Sequence, residues 1–237
     1  MPTVILAAGV AACSDDTGGS TPTSQLVPDF SISAAPNTIT FVIGEFAADQ
    51  FSSVRLPDGD ALSVSAAGQD KPMRWSLSPL GSGYYAASLT ELDPGTTITI
   101  ALSRTDGGNA PDSHVTMPEP LVLTAPEAGL IESAGNSLEV NWSPSGTADQ
   151  IKVVLRSVVC TRPGAGAVQT VSVVGDPGTA TVTINPGLLP PLNPGEQCEV
   201  GVQVQRVRLG TVDPAFAAGG AIQARQLDEV RIVVLQP

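Results

Sequence analysis

The sequence predicts an all-β chain: two tandem β-sandwich domains after a short apolar leader and a flexible tether. Three observations carry that reading. Glycine (24) and proline (21) are abundant in 237 residues while charged residues make up only 14%, the profile of many short strands joined by tight turns. Apolar residues alternate with polar ones, as in Ser137-Leu138-Glu139-Val140-Asn141-Trp142, and long helical periodicity is not visible. A turn-and-strand pattern also appears twice, 100 residues apart: Leu92-Asp93-Pro94-Gly95 leads into Ile98, Ile100 and Leu102, and Leu192-Asn193-Pro194-Gly195 into Cys198, Val200 and Val202. Proline sets φ for the second turn position, and glycine supplies the positive φ of the third.

Taken in order, residues 1–12 contain an apolar run from Val4 to Ala12, well short of the ~20 residues that cross a bilayer but long enough to fit the apolar region of a signal peptide. The run closes on Val10-Ala11-Ala12-Cys13, which resembles the lipobox of bacterial lipoproteins. That resemblance implies a signal peptide over 1–12, lipid on Cys13, and a place in the bacterial cell envelope, membrane-bound through that lipid. By analogy with lipoprotein sorting in enteric bacteria, Ser14 points to the outer membrane, at its periplasmic or surface face. No Lys or Arg precedes the apolar run, so the expected reading frame begins upstream of Met1. Residues 13–28 are rich in Ser, Thr, Gly and Asp, bury little, and predict a flexible tether spanning ~20 Å.

Residues 29–120 form the first expected domain, with strands near 38–43, 53–56, 61–65, 74–77, 84–89, 97–102 and 113–117. Pro57-Asp58-Gly59-Asp60 reads as a hairpin tip or, less specifically, as two carboxylates for calcium. Pro118-Glu119-Pro120 is a stiff junction to the second domain, 121–237, with strands near 121–125, 137–142, 151–156, 168–174, 179–184, 198–204 and 222–234. The repeated corner resembles the approach to strand F of fibronectin type III modules, through Leu92, Pro94, Gly95, Thr96, Ile100 and Leu102 and through Leu192, Pro194, Gly195, Val200 and Val202. Ile98 and Cys198 stand where that family carries tyrosine, so the broader immunoglobulin-like sandwich is the expected class. Trp142 matches the core tryptophan of strand B.

Three cysteines leave an even pair, Cys160 and Cys198, once Cys13 is lipidated. The fibronectin-like topology implies that they bridge the end of strand C and the start of strand F as a disulfide; two inert buried thiols are the other reading. The stretch Val204–Gly220, with Arg206, Arg208, Gly210, Phe216 and Gly219-Gly220, resembles a pattern in uncharacterised lipoproteins of Gram-negative bacteria.

A formal net charge of −12 disfavours nucleic acid, whose phosphates need clustered Lys and Arg. The imbalance is largest in the first domain, where 11 Asp+Glu face 4 Lys+Arg over residues 29–120. The sequence has one histidine, His114, and lacks CxxC, HExxH, G-x-S-x-G and phosphate-loop motifs. Asp112-Ser113-His114 on a strand turns neighbouring side chains to opposite faces, which does not build a triad. The expectation is a protein that is not an enzyme and takes no cofactor or metal: a lipid-anchored spacer or protein-interaction platform, with a glycan-binding accessory or adhesin-like module as the alternative. Candidate binding residues are Trp75, Tyr84 and Tyr85 on a predicted hairpin, and Phe216 in the loop joining the last two strands. Arg206, Arg208, Arg225 and Arg231 form either a cationic stripe or ordinary cross-strand pairs.

Overall fold

The computed structural model describes residues 21–35, 38–48, 53–79, 81–145, 149–162, 173–175, 181–186 and 192–236. The expected signal peptide, Cys13, the tether up to residue 20 and the turn at 176–178 lie outside the described residues. Among the described residues the elements are strands, with a 3-10 turn at Thr23–Gln25.

The first sandwich is built from β1 (Val27–Ala34), β2 (Thr40–Ala47), β3 (Ala61–Ala66), β4 (Gln69–Pro72), β5 (Arg74–Leu77), β6 (Gly83–Leu89), β7 (Thr97–Ser103) and β8 (Ala110–Thr116). One sheet runs β5-β6-β2-β1 and the other β4-β3-β7-β8. That is the ABED and C′CFG arrangement of an immunoglobulin-like sandwich. The chain changes sheets between β4 and β5 at Met73, whose N–H donates to Leu62.

The second sandwich uses β9 (Val122–Ala125), β10 (Ile131–Ser133), β11 (Leu138–Ser143), β12 (Gln150–Cys160), β13 (Val173–Gly175), β14 (Thr181–Ile184), β15 (Gln197–Leu209) and β16 (Ala221–Leu235). Strands β14-β11-β9 form its small sheet and β13-β12-β15-β16 its large one, with β10 parallel to the end of β16. This is the fibronectin type III arrangement, and Trp142 is buried on strand B as expected.

The repeated corner has the predicted geometry in both sandwiches. Gly95 and Gly195 have φ of 77° and 81°. Their N–H groups donate to Met117 and Gln236, the residues that follow the last strand of each sandwich. Leu92 is buried and Leu192 packs on the second core.

Strands β4 and β10 were not expected from the sequence, and three further features differ from that reading. Leu26 is buried and β1 begins at Val27, so chain expected to belong to the tether is already packed. The stretch at 53–56 makes isolated bridges rather than a strand. The third difference sets the architecture. Strands β15 and β16 continue far past their own sandwich, and Asp29 to Ala34 of β1 pair in parallel with Ala221 to Gln226 of β16. One nine-stranded sheet therefore runs through both sandwiches.

The cores show the consequence. The first is centred on Phe30, Phe46, Ile98, Ile100 and Leu102, yet it also contains Phe216, Ile222 and Ala224 from the far hairpin. The second holds Val140, Trp142, Val153, Val200, Val202 and Ile232. Ile222 and Ala224 share strand parity with Ile232 and Val234, so both sandwiches lie on the same side of the shared sheet.

The locked junction and the candidate interaction surface

The first candidate site is the junction, where the hairpin crosses from one sandwich to the other. Arg206 and Arg208 continue the inward parity of Val200, Val202 and Val204, so both guanidiniums point into the gap between the cores. Arg206 is fully buried and donates to the carbonyls of Glu119 and Pro120 (both 3.2 Å) and Pro144 (2.6 Å). Burial pushes its pKa below the ordinary value. Arg208 clasps Asp149 with two bonds, 2.6 and 2.8 Å, and donates to Thr116 Oγ1 at 3.1 Å. The bond to Asp149 raises its pKa. Two arginines of one strand thus hold both the linker and the β11–β12 loop.

The hairpin tip is held as firmly. Thr211 and His114 exchange backbone hydrogen bonds of 2.8 Å, which brings the tip onto the edge of β8. Gly210 permits this approach, because a Cβ there would meet the His114 carbonyl oxygen at 2.2 Å. Asp213 Oδ2 accepts from the Asp112 N–H at 2.9 Å, and Ala217 donates to Leu26. His114 itself is partly exposed, 3.3 Å from Asp112.

A second anchor fixes the start of the described chain. Buried Arg104 donates to the Thr21 carbonyl at 2.7 Å, and Thr23 Oγ1 donates to the Gly108 carbonyl. The Arg104 Nε lies 3.0 Å from Asp60, whose other oxygen accepts from Thr105. The Asp60 carboxylate that the calcium reading offered to a metal is therefore engaged by a guanidinium and by Thr105. Among the described residues no group of His, Cys, Asp and Glu is arranged to hold a metal ion.

The expected aromatic site is mostly core. Tyr85 is 7% exposed, and its hydroxyl accepts from the Leu56 N–H at 2.7 Å. Burial raises its pKa above 10.0. Trp75 is half-buried, edge-on to Tyr85 at 5.0 Å, with its indole lying over Gly83. Phe216 is 7% exposed and packs against Phe30 and Phe46 at 6.1 and 5.8 Å. It belongs inside the first sandwich, not at a recognition loop of the second, because the hairpin carrying it is long enough to reach there. Tyr84, opposite in parity to Tyr85, stays half-open on the outer sheet face.

Residues missed by sequence reasoning occupy that outer face. Ile39, Phe41 and Ile43 are 48%, 50% and 38% exposed. Phe41 pairs with Ser33 on one side and Ser88 on the other; Ile43 pairs with Ser31 and Ala86. The signal was present in the run Ile39-Thr40-Phe41-Val42-Ile43, which is apolar on both faces.

Cys160 and Cys198 form a disulfide between directly opposed residues of β12 and β15. Of the remaining arginines, Arg231 meets Glu199 at 2.8 Å, and Arg225 lies on the sheet face opposite to Arg206. The four arginines thus do not converge into one stripe.

These features define a class: a tandem immunoglobulin-like protein whose two sandwiches share a sheet. No protein-family model matches the chain, and no curated protein matches it in sequence. Similar solved structures include the FN1–FN3 domains of chicken CNTN1, at 14% identity over 88% of this chain and 65% of that chain, with a TM-score of 0.27. The adhesin InvE of Yersinia pseudotuberculosis matches at 12% identity over 88% of this chain and 60% of its own, TM-score 0.25. SGBP-B from the mixed-linkage glucan utilization locus of Bacteroides ovatus, solved with a mixed-linkage heptasaccharide, matches at 12% identity over 84% and 54%, TM-score 0.23. The chain thus spans less than two thirds of each of these structures.

Proposed function

We propose that the chain is a non-catalytic, lipid-anchored envelope protein that acts as a stiff spacer and interaction platform, held through lipid on Cys13 at the outer membrane, on its periplasmic or surface face. The shared nine-stranded sheet is the observation that carries this reading. Flexible linkers let tandem modules reorient, whereas here bending the junction requires breaking the β1–β16 pairing and the Arg206 and Arg208 contacts. Strand β16 alone spans roughly 50 Å at ~3.3 Å per residue.

The body has a direction. Described chain begins at Thr21, at the end of the first sandwich away from the junction, since β1 runs parallel to β16 toward the second. Residues 13–20 would carry the anchor from there. The opposite end presents the Cys160–Cys198 disulfide and the Arg162–Glu196 ion pair, 3.0 Å apart. A lipidated N-terminus therefore places the second sandwich farthest from the membrane.

Mass spectrometry of the mature N-terminus tests the anchor: acylated Cys13 is expected, and an unmodified Cys13 still joined to Met1 would end that part of the reading. Stiffness is tested by spin labels at the exposed residues Lys71 and Glu139. A single narrow distance distribution is expected, and a broad one contradicts the spacer. The glycan-binding alternative finds its support on the outer sheet face.

A further inference from the structure

We infer that the outer face of the first sandwich is a binding site for a neutral polysaccharide, centred on Phe41 and Ile43 of β2. This rests on the platform reading, because it names what the platform holds.

Phe41 and Ile43 occupy alternate positions of β2, Ile39 immediately precedes that strand, and the stripe of the three extends roughly 14 Å from first to last at ~3.4 Å per residue. Its neighbours are polar. Ser31 and Ser33 flank it on β1, followed by Gln223 and Arg225 on β16; Ser88 flanks it on β6, and Arg74 on β5 pairs with Ala86. Tyr84 lies on the same face, beside Ser76 of β5. Past Ile43 the same face carries Glu45, paired with Asp29 of β1, so the surface is an apolar ridge with an open ring, bordered by hydroxyl, amide and guanidinium groups and, at one end, by two carboxylates.

That pattern matches a pyranose ring chemically. Equatorially substituted sugars present C–H groups on their faces and hydroxyls around their rims, so the face rests on a ridge while the rim meets small polar side chains. The serines leave the Phe41 ring unshadowed, where a larger residue would cover it.

Other occupants fit less well. A stable protein partner covers roughly 800 Å² with a continuous apolar centre. Three side chains hemmed by serines fall far short of that area. An anionic polymer is disfavoured by the acidity of this module, 11 acidic against 4 basic residues over 29–120. A neutral chain meets neither obstacle.

Affinity electrophoresis of the full chain tests the site, in gels containing a mixed-linkage β-glucan, xyloglucan, galactomannan or, as the anionic arm, polygalacturonate. The expected result is retardation by at least one neutral polymer. That retardation should weaken at least tenfold in Phe41→Ser and in Ile43→Ser, survive in Phe41→Trp, and stay unchanged in Val159→Ser, an exposed apolar position of the second sandwich. Circular dichroism confirms folding of each variant. Retardation by no neutral polymer, by polygalacturonate alone, or undiminished in Phe41→Ser would overturn the proposal. Binding with a broad spin-label distribution would sink the stiff spacer and leave the glycan site, and the reverse result would do the opposite.

Discussion

The guanidinium of Arg206 satisfies three backbone carbonyls, at Glu119, Pro120 and Pro144. Arg206→Ala leaves all three without that donor in a buried place and should cost about 3 kcal/mol, since one charged hydrogen bond is worth roughly 1.5 to 3. Urea unfolding measures this, and an unchanged midpoint would show the junction to be held by other means. Tyr85 gives a pH test. Its raised pKa means the folded chain holds the phenolic proton more tightly than the unfolded chain does. Its contribution is full below pH 10.0 and is lost as pH rises above it. Tyr85→Phe should therefore flatten the fall in stability above that pH, even though it also loses the bond to Leu56. An unchanged alkaline slope would remove Tyr85 from the explanation.

Among elements, the β15–β16 hairpin has a divided role: its base belongs to the second core and its tip to the first. Phe216→Ala removes an aromatic packed between Phe30 and Phe46 and should cost about 3 to 5 kcal/mol. Although its position is remote in sequence, Trp75 fluorescence in the first sandwich should report the transition. Replacing Cys160 and Cys198 by serine should cost roughly 4 kcal/mol through the reopened loop of 38 residues. Loss of hydrogen-exchange protection is expected first at the paired ends of β12 and β15, and uniform loss over the whole chain would contradict that placement.

The hairpin also shows where the sequence stopped being readable. Its base was legible because Cys198, Val200, Val202 and Val204 alternate. Arg206 and Arg208 then occupy the same inward parity, and a core pattern interrupted by two arginines reads as the end of a strand. Only the carbonyls waiting at the linker and the β11–β12 loop, distant in sequence, make those positions tenable. The corner glycines were predictable because turn chemistry is local. Phe41 was not, because Ile39 to Ile43 is apolar on both faces and nothing local says which face is covered. Strands β10 and β4 escaped notice for their length and polarity, and β1 because Val27-Pro28-Asp29 continues the composition of the tether.

For the whole molecule, tandem sandwiches joined by a simple linker unfold as separate units, one transition for each core. Here the first core includes Phe216, Ile222 and Ala224, on a hairpin whose base is paired within the second sandwich, so unfolding of either sandwich disturbs the other. The sharing also closes an edge: β1, the outer strand of its sheet, is paired along Asp29 to Ala34 instead of lying open to another chain. A spacer anchored at one end and recognising ligand on a sheet face gains from both properties, since its reach and its orientation stay fixed together.

Differential scanning calorimetry of the oxidised protein tests this sharing most directly. One transition with equal van't Hoff and calorimetric enthalpies is the predicted result. Two resolved transitions, or a van't Hoff enthalpy near half the calorimetric value, would show two independent sandwiches and contradict the account.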